Sequence, residues 1–230
     1  ILSDIIQKQT LLFEPGSQFK YSDLGMILLM DIAEKITGRK FSELVQSWVL
    51  NPIDMKNTYY NPSKELFSKI PPTEFDSLYR NQLVKGFVHD ENAYLMGGVS
   101  GHAGIFSNIY DLANYSQTMI NLGIYNGSRV FSKYSIRKMV TKQNLPFGSD
   151  YALGWDTPSF KGSSAGDYFS NGSYGHLGFT GTSMWIDPNN KITIILLTNR
   201  TYPTRDKKGM YKLRRDFHNE IMKSILIGEK

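Results

Sequence analysis

The sequence predicts a mixed α/β (α+β) fold in which an antiparallel sheet is flanked by helices. Helical segments and loops alternate before Tyr151, whereas the alternating and apolar patterns typical of strands begin there. With 230 residues, of which 40% are hydrophobic, the chain is long enough to bury a substantial core. No repeat or low-complexity linker divides it. We therefore expect a single domain, with a helical lobe over about 1–150 and the sheet strands and a last helix over about 151–230.

The expected helices have apolar patterns with cap or stop signals. Residues 24–37 read "LGMILLMDIAEKIT", which is apolar nearly all round and predicts a buried helix. Ser22 or Asp23 can cap its first turn, and Gly38 supplies its end. Residues 51–100 are expected to be mostly loops. Further helices are predicted over 41–50, over 110–122, from a Ser132 cap to about 143 and over about 207–227, and strands are predicted in "YALGWDT", "TSMWID" and "ITIILLTN".

One predicted strand is nearly continuous in apolar residues. The run over 192–197 is typical of a strand covered on both faces in the middle of a sheet. Such a strand needs a hydrogen-bonded neighbour on each side. The predicted turn Asp187-Pro188-Asn189-Asn190 supplies one neighbour, and no other segment is an obvious second. We expect an exposed sheet edge, filled either by an N-terminal segment that this chain lacks or by a second copy.

Composition excludes several classes of function. The chain has no cysteine, so disulfides, zinc–thiolate sites and a cysteine nucleophile are excluded. The net charge is +5, with part of the excess in "NRTYPTRDKKGMYKLRR". Acidic residues interrupt this run and no nucleic-acid motif accompanies it, so we expect a solvated helix face and no nucleic-acid partner. The sequence contains no run of about 18 apolar residues, so no membrane span is predicted.

One candidate motif is Tyr21-Ser22-Asp23, at the start of the first predicted helix. A tyrosine hydroxyl at this point could project into a cleft and act as a general base if neighbouring cations lower its pKa. The same tripeptide also suits a plain helix N-cap, so it is weak support for catalysis when taken alone.

Another candidate motif lies in "GHLGFTGTSMWIDP", residues 175–188. His176 and Gly178 are expected at the start of a strand, where a glycine lets a substrate backbone approach the strand edge. The amide of Phe179 could donate a hydrogen bond to a developing oxyanion. His176 could supply a donor or a positive charge for a substrate carboxylate. The alternative is an ordinary strand with a glycine bulge.

Together the two motifs resemble those of the serine β-lactamase and penicillin-binding protein superfamily, and most closely its class C branch with DD-peptidases and esterases. The family has three motifs in chain order: first Ser-x-x-Lys, second Tyr-x-Asn and third Lys-Thr-Gly or His-x-Gly. The "YSD" of "PGSQFKYSD" resembles the second motif, and His176-Leu177-Gly178 resembles the third. The stretches "NPIDMKNTYY", "GGVSGHAGIFSNIYDLANY", "YALGW" and "IILLTNR" resemble the family too, in family order. "VHDENA" and "TNRTYP" resemble the β-lactamase-type domain fused to family 3 glycoside hydrolases.

The resemblance implies a β-lactamase/transpeptidase-like fold and a cofactor-free acyl-enzyme mechanism on a β-lactam, peptide or ester, outside the cytoplasm of a bacterium. Tyr21 would shuttle the proton, and His176 would take the role of the family's lysine. Asp23 would replace the family's frequent asparagine, which contacts the substrate amide. The resemblance thus assigns catalytic roles to Tyr21, Asp23 and His176, and oxyanion or substrate contacts to Gly178, Phe179 and Thr180.

The nucleophile is expected to lie outside this chain. In the family, Ser-x-x-Lys begins a buried helix far upstream of the tyrosine motif, whereas Ser17 and Lys20 adjoin Tyr21 directly. Pro15-Gly16 predicts a turn before Ser17 and not a helix. Ser135 also begins a Ser-x-x-Lys, but it follows the tyrosine motif, so family order excludes it. We therefore expect this chain to be the C-terminal part of a family domain that lacks the N-terminal strands. Without the nucleophile, we expect it to be inactive on its own.

Two alternatives remain open at this stage. His89-Asp90-Glu91 and His102 could bind a metal, but their spacing matches no zinc signature, so no metal is expected. The chain could also be a non-catalytic scaffold or binding module of the same fold, including an accessory to a cell-wall glycoside hydrolase. Asp23 and the missing nucleophile keep this alternative open.

Overall fold

The computed structural model describes residue 6 and residues 8–228. It divides into two compact units, Ile1–Asp111 and Leu112–Lys230. The organisation as a single domain therefore stays a prediction. Within the described residues, none of the helices combines the length and the hydropathy that a membrane span requires.

The longest helix of the first unit is α1 (Asp23–Thr37). It begins as expected, because Ser22 Oγ accepts a hydrogen bond from the Leu24 N–H at 3.2 Å, and it ends at Gly38, which has a φ of 67°. Only Ile27 and Met30 are buried. The prediction of a helix buried all round is wrong, because the described residues cover one of its faces and leave several apolar side chains exposed: Leu24, Met26, Leu29, Ile32 and Ile36.

The rest of the first unit consists of short elements. The strands pair as two small antiparallel sheets, β1 with β4 and β2 with β3. Strands of two or three residues are too short to produce a periodic pattern, which is why the sequence predicted only loops over much of this region. In chain order the elements are α2 (Phe41–Val45), a π-helical turn (Gln46–Leu50), a 3₁₀ turn (Asn51–Ile53), β1 (Tyr59–Tyr60), a second 3₁₀ segment (Lys64–Lys69), β2 (Glu74–Asp76), β3 (Gln82–Val84), α3 (Glu91–Leu95) and β4 (Ile105–Phe106).

The second unit contains a three-stranded antiparallel sheet in the order β7-β8-β9 and a separate β5–β6 hairpin. Its elements are α4 (Ile109–Ile120), which begins at the boundary between the units, β5 (Ile124–Tyr125), β6 (Ser128–Arg129), α5 (Lys133–Val140), β7 (Tyr174–Leu177), β8 (Ser183–Asp187), β9 (Ile192–Leu196) and α6 (Met210–Ile227). The predicted helices and the last two predicted strands are thus confirmed, with shifted ends.

The middle strand, β8, is covered on both faces. Trp185 and Ile186 are both fully buried, and because successive side chains of a strand point to opposite faces, they enter two different cores. The Ile186 core contains residues of α4 and α5, and the Trp185 core contains a residue of α6. The buried members are Met119, Ile136, Ala152, Trp155 and Tyr174 around Ile186, and Ala165, Phe169, Ile194 and Met222 around Trp185.

One strand expectation agrees with the structure and another needs correction. Among the described residues β9, which contains most of the 192–197 run, pairs with β8 alone, so its other edge is unpaired as expected. The middle strand is β8. Its sequence did not indicate this position, because the strand begins and ends with polar residues, Ser183 and Asp187. The predicted "YALGWDT" strand is reduced to isolated bridges from Asp156 to Tyr151 and Gly175, because a bend with Gly154 at a φ of 81° interrupts it.

Candidate active site

Tyr21 lies directly before α1 and is 60% exposed, so its side chain is open to a substrate. Ser22 is occupied as the N-cap of the helix. Asp23 is the first helical residue, where the positive end of the helix dipole favours a carboxylate. The tripeptide can therefore cap the helix and also supply a general base, because Ser22 is the cap and Tyr21 is the candidate base.

Ser17 lies in a turn and not at the start of a helix, as its Pro15-Gly16 context predicts. Gly16 has a φ of 84°, and Ser17 Oγ donates a hydrogen bond to the Glu14 carbonyl oxygen at 2.6 Å. The other Ser-x-x-Lys serine, Ser135, lies in the first turn of α5. The location of the nucleophile outside this chain stays a prediction.

The structure places Asp23 beside two residues of the first unit that the sequence did not connect with it, Asp90 and His102. Single nitrogen or oxygen atoms of these three side chains lie within 4.8 Å of one another. His102 Nε2 is 2.8 Å from Asp90 Oδ1, and His102 Nδ1 is 2.7 Å from Ser100 Oγ. The His102 side chain is only 5% exposed. Both ring nitrogens are therefore hydrogen-bonded, in a group of half-buried residues.

Electrostatics favour the charged forms of this pair. The hydrogen bond from His102 holds the pKa of Asp90 below its ordinary value, although partial burial opposes this. The hydrogen bond to Asp90 raises the pKa of His102, again against partial burial, and the negative charges of Asp90 and Asp23 raise it further. Each shift thus favours the charged form of its group, an aspartate at Asp90 and an imidazolium at His102.

A close backbone approach brings this histidine to α1. A Cβ atom on Gly101 would lie 2.2 Å from the carbonyl oxygen of Met26, so only glycine lets the loop run this near the helix. Met26 lies one turn after Asp23 on the same side of α1. The Tyr60 hydroxyl donates to the Ser100 carbonyl oxygen at 3.1 Å and holds the loop from the other side.

Asp90 is itself held by a buried arginine. Arg80 forms an ion pair with Asp76 at 3.2 Å, and both side chains are almost fully buried. The Arg80 guanidinium also donates to the carbonyl oxygens of His89 and Asp90, at 3.2 and 3.3 Å. It lies 4.2 Å from the ring centroid of Tyr94. This network fixes the backbone that carries Asp90, whose carboxylate also caps α3.

Among the described residues, the same three side chains are close enough together that a metal ion could in principle contact all of them. Two carboxylates and an imidazole suit a divalent cation. However, the ring nitrogens of His102 already bond Asp90 and Ser100, so a metal would have to displace one of these hydrogen bonds. His89 lies outside this group, since its Nδ1 is 3.0 Å from Thr73 Oγ1.

The third-motif residues lie in the second unit. His176 is the third residue of β7, so its expected position at the start of a strand is wrong: β7 ends at Leu177, and a turn leads from Gly178 to β8. His176 Nδ1 lies 2.9 Å from the carbonyl oxygen of Leu177, and the donor must be the imidazole. Burial lowers the pKa of His176. It is therefore neutral at pH 7 and supplies a hydrogen-bonding group without a full positive charge.

The turn after His176 is held from within by Arg214 of α6. The Gly178 N–H donates to the Thr182 carbonyl oxygen at 2.8 Å. Arg214 Nη2 donates to the carbonyl oxygens of both residues, at 2.7 and 2.8 Å, and the side chain is buried. A Cβ on Gly178 would lie 2.1 Å from Thr182 Oγ1, so a larger residue here would force the Thr182 side chain to move.

A second arginine, Arg200, holds the tip of the same turn. Its Nε donates to the Phe179 carbonyl oxygen at 2.7 Å, and its backbone N–H donates to the Thr180 carbonyl oxygen at 2.8 Å. Its guanidinium lies 4.4 Å from the centroid of the Phe179 ring, and that of Arg205 lies 5.8 Å away. A positive charge therefore accompanies the residue whose amide is the expected oxyanion donor.

These arginines correct the expectation of a solvated basic face. In the run "NRTYPTRDKKGMYKLRR", Lys212 is 81% exposed, but Arg214 is buried under the turn. The sequence contained one usable signal, because Arg214 and the buried His218 and Met222 recur at helical spacing on α6. Net charge alone conceals this inward-facing cation.

Comparisons with known proteins identify the family of this chain. A family model described as "Beta-lactamase" matches residues 2–219, so the chain belongs to the β-lactamase family. A protein of Escherichia coli (strain K12) named "Putative D-alanyl-D-alanine carboxypeptidase" is 36% identical over 221 residues, covering 86% of this chain and 49% of that protein. A protein of the same name from Salmonella typhi is 34% identical over 219 residues, with the same coverage. The chain spans about half the length of these curated relatives.

Solved structures show the same fold. A β-lactamase from Mycobacterium bovis superposes with a TM-score of 0.62 at 18% identity, covering 92% of this chain and 66% of that one. The octameric penicillin-binding protein homologue from Pyrococcus abyssi gives a TM-score of 0.59 at 24% identity, covering 94% of this chain and 44% of that one. The predicted β-lactamase and penicillin-binding protein fold is confirmed.

Proposed function

We propose that this chain carries the second and third motifs of a bacterial serine hydrolase that works through an acyl-enzyme outside the cytoplasm. Family membership supports hydrolase activity of the β-lactamase or DD-carboxypeptidase type. The observation that carries the proposal is the His176–Thr182 segment, in which two arginines hold the backbone around Phe179 by hydrogen bonds to its carbonyl groups. A rigid turn of this kind is what a preorganised oxyanion donor requires.

The substrate we propose is an acyl-D-alanine peptide, with a β-lactam or an ester as the alternatives. The carboxypeptidase names of the relatives support the peptide. A peptide of this class ends in a carboxylate, and the guanidinium stacked on Phe179 provides a positive charge that the neutral His176 lacks.

The residues divide the chemistry as follows. Tyr21, which is exposed, transfers the proton between the nucleophile and the leaving group. The Phe179 N–H stabilises the oxyanion, with Gly178 and Thr180 shaping the turn. His176 donates or accepts a hydrogen bond at the substrate. The serine and lysine of the first motif belong to the longer protein, so the chain alone does not turn over substrate.

One observation favours the alternative of a scaffold or binding module without turnover. Asp23 stands where the family frequently has asparagine, and an ionised carboxylate cannot donate a hydrogen bond to a substrate carbonyl. Under this alternative the protein binds its ligand and forms no acyl-enzyme.

Intact-mass analysis after incubation with benzylpenicillin and with a fluorophosphonate tests the proposal. The chain of 230 residues is compared with the product of its complete gene. We expect a covalent adduct only on the complete product, and loss of that adduct when Tyr21→Phe is introduced. An adduct on Ser17 of the short chain would overturn the location of the nucleophile. Absence of any adduct on the complete product would favour the scaffold.

A further inference from the structure

We propose that His102 is a positioning residue that provides the positive charge against which the Asp23 carboxylate is held. This inference deepens the proposed function and rests on it for its catalytic consequence. Its physical part concerns only described residues of the first unit and can be tested without turnover. The reasoning begins with Asp23, whose carboxylate occupies a position where the family frequently has a neutral amide.

The position of His102 is defined on both sides of its ring. Nε2 lies 2.8 Å from Asp90 Oδ1, and an aspartate can only accept, so Nε2 carries the proton. Nδ1 lies 2.7 Å from the hydroxyl of Ser100, which can either donate or accept. The hydroxyl thus satisfies Nδ1 whether the imidazole is neutral or protonated. The ring can gain or lose a proton without breaking its contacts.

The charges that act on this imidazole come from Asp90 and Asp23. Asp23 comes from the first turn of α1, and Asp90 from the N-cap of α3. Arg80 is bound to the carbonyl oxygen of Asp90 and is balanced by its ion pair with Asp76. Two carboxylates therefore face one imidazole directly, and a protonated His102 leaves the group with a single negative charge.

The consequence for the second motif is electrostatic. With His102 protonated, Asp90 and His102 form a neutral pair, and the remaining charge of Asp23 is opposed by an imidazolium less than 5 Å away. With His102 neutral, the carboxylates of Asp90 and of Asp23, which is two positions after Tyr21, are both uncompensated and disfavour an approaching substrate anion. His102 in this way offsets the replacement of an amide by Asp23.

The position of His102 depends on the backbone of its loop. Gly101 allows the loop to lie against Met26, and Tyr60 holds the Ser100 carbonyl oxygen. The His102 side chain is 5% exposed and the Asp90 side chain 31%, and all three residues are half-buried, so solvent screens their interactions only in part.

The test is an NMR titration of the histidine ring signals in the chain itself. The chain has four histidines, so the His102 signal is assigned with His102→Gln. We expect Asp23→Asn to lower the pKa of His102 by about 0.5 to 1 unit, as opposite charges about 5 Å apart imply after partial screening. Asp90→Asn should lower it further, because it removes the direct hydrogen bond. Asp31→Asn is the matched control, since Asp31 lies on α1 and pairs with Lys35; it should leave the pKa of His102 unchanged.

Two results would overturn the proposal. One is a His102 pKa that does not change in Asp23→Asn while the spectrum stays that of a folded chain. The other is stoichiometric perturbation of the His102 signal by added Zn²⁺, which would make the imidazole a metal ligand. In the complete gene product, Asp23→Asn should also move the pH profile of penicillin acylation, a change that a purely structural role does not produce. If the complete product is never acylated, the proposed function fails, while the titration still decides the role of His102.

Discussion

Arg214 donates hydrogen bonds from one nitrogen to the carbonyl oxygens of Gly178 and Thr182, 2.7 and 2.8 Å away. The last helix of the chain therefore holds the turn that carries the third motif. An arginine in this position satisfies two carbonyl groups at once and keeps the turn closed, so its role is structural support of a candidate oxyanion site.

We expect Arg214→Ala to lower the free energy of unfolding by about 2 to 3 kcal/mol, because it removes two charge-assisted hydrogen bonds made by a buried side chain and leaves each carbonyl oxygen with its backbone partner alone. The neighbouring Arg215→Ala is the matched control. Arg215 pairs with Asp167, whose side chain is 52% exposed, and such surface pairs contribute at most about 1 kcal/mol. Urea unfolding measures both. Equal losses in the two variants would show that Arg214 does not support the turn.

Replacing Gly25 of α1 and Gly101, which packs against α1, with alanine should change the stability of the fold in opposite directions. In Gly101→Ala the new Cβ would meet the Met26 carbonyl oxygen at 2.2 Å, so we expect a loss of about 1 to 3 kcal/mol in unfolding free energy. In Gly25→Ala the new Cβ has open space inside the helix, and we expect a gain of about 0.5 to 1 kcal/mol. Thermal unfolding followed by circular dichroism compares them. A neutral Gly101→Ala would contradict the close packing of the His102 loop on α1.

The sequence predicted the elements whose signals are local. Ser22 and Gly38 bound α1 as expected, and Asp187 closes the β8–β9 turn by accepting from the backbone N–H groups of Asn189 and Asn190. It did not predict which strand lies in the middle, because burial on both faces of β8 arises from helices far along the chain. Sequence patterns report the hydrophobicity of a strand and not the number of its neighbours.

The same distinction applies to the candidate site. Tyr21 and His176 were identified because each belongs to a short contiguous motif. The contact of Asp90 with His102 joins residues twelve positions apart through a side chain and a glycine-dependent loop, and no periodicity records it. Arg214 was misread because net charge does not state which way a side chain points.

The Asp90–His102 pair should stabilise the fold within a defined pH window. The folded-state pKa of Asp90 is lowered, so its contribution is present above the ordinary aspartate pKa of about 4 and is lost as pH falls through the lowered value. The folded-state pKa of His102 is raised, so its contribution is complete below about 6.5 and is lost as pH rises through the raised value. The difference in unfolding free energy between the chain and His102→Gln should therefore be largest between about pH 4 and 6.5. A difference that does not vary from pH 4 to 9 would contradict this linkage.

The pKa of His176 should be shifted in the opposite direction from that of His102. Burial lowers its pKa, so we expect its ring to remain neutral until the pH is below about 6.5, the ordinary value for histidine. Its protonation then disfavours the folded state, because the unfolded chain takes up the proton at higher pH. The same NMR titration contains both residues, with His176→Gln identifying the signal. A His176 pKa above that of His102 would contradict the assigned environments.

The unpaired edge of β9 should make the chain associate with itself. Among the described residues β9 pairs only with β8, and Leu197 directly after it is 44% exposed. Unpaired strand edges template pairing with another chain, and a lysine there opposes it. We propose that a second copy fills this edge in the isolated chain and that a segment of the longer protein fills it in the complete gene product. Sedimentation velocity should therefore show concentration-dependent dimers of the chain and a smaller tendency to associate in the complete product.

Lysine substitutions locate the contact. We expect Leu197→Lys to weaken the dimer about tenfold or more, because the charge must be desolvated at the paired edge. Phe160→Lys is the matched control, since Phe160 is 97% exposed and lies outside the strands of the same unit. It should leave the dimer intact. Equal weakening by both variants would indicate nonspecific hydrophobic association, and a chain that stays monomeric at high concentration would refute pairing through β9.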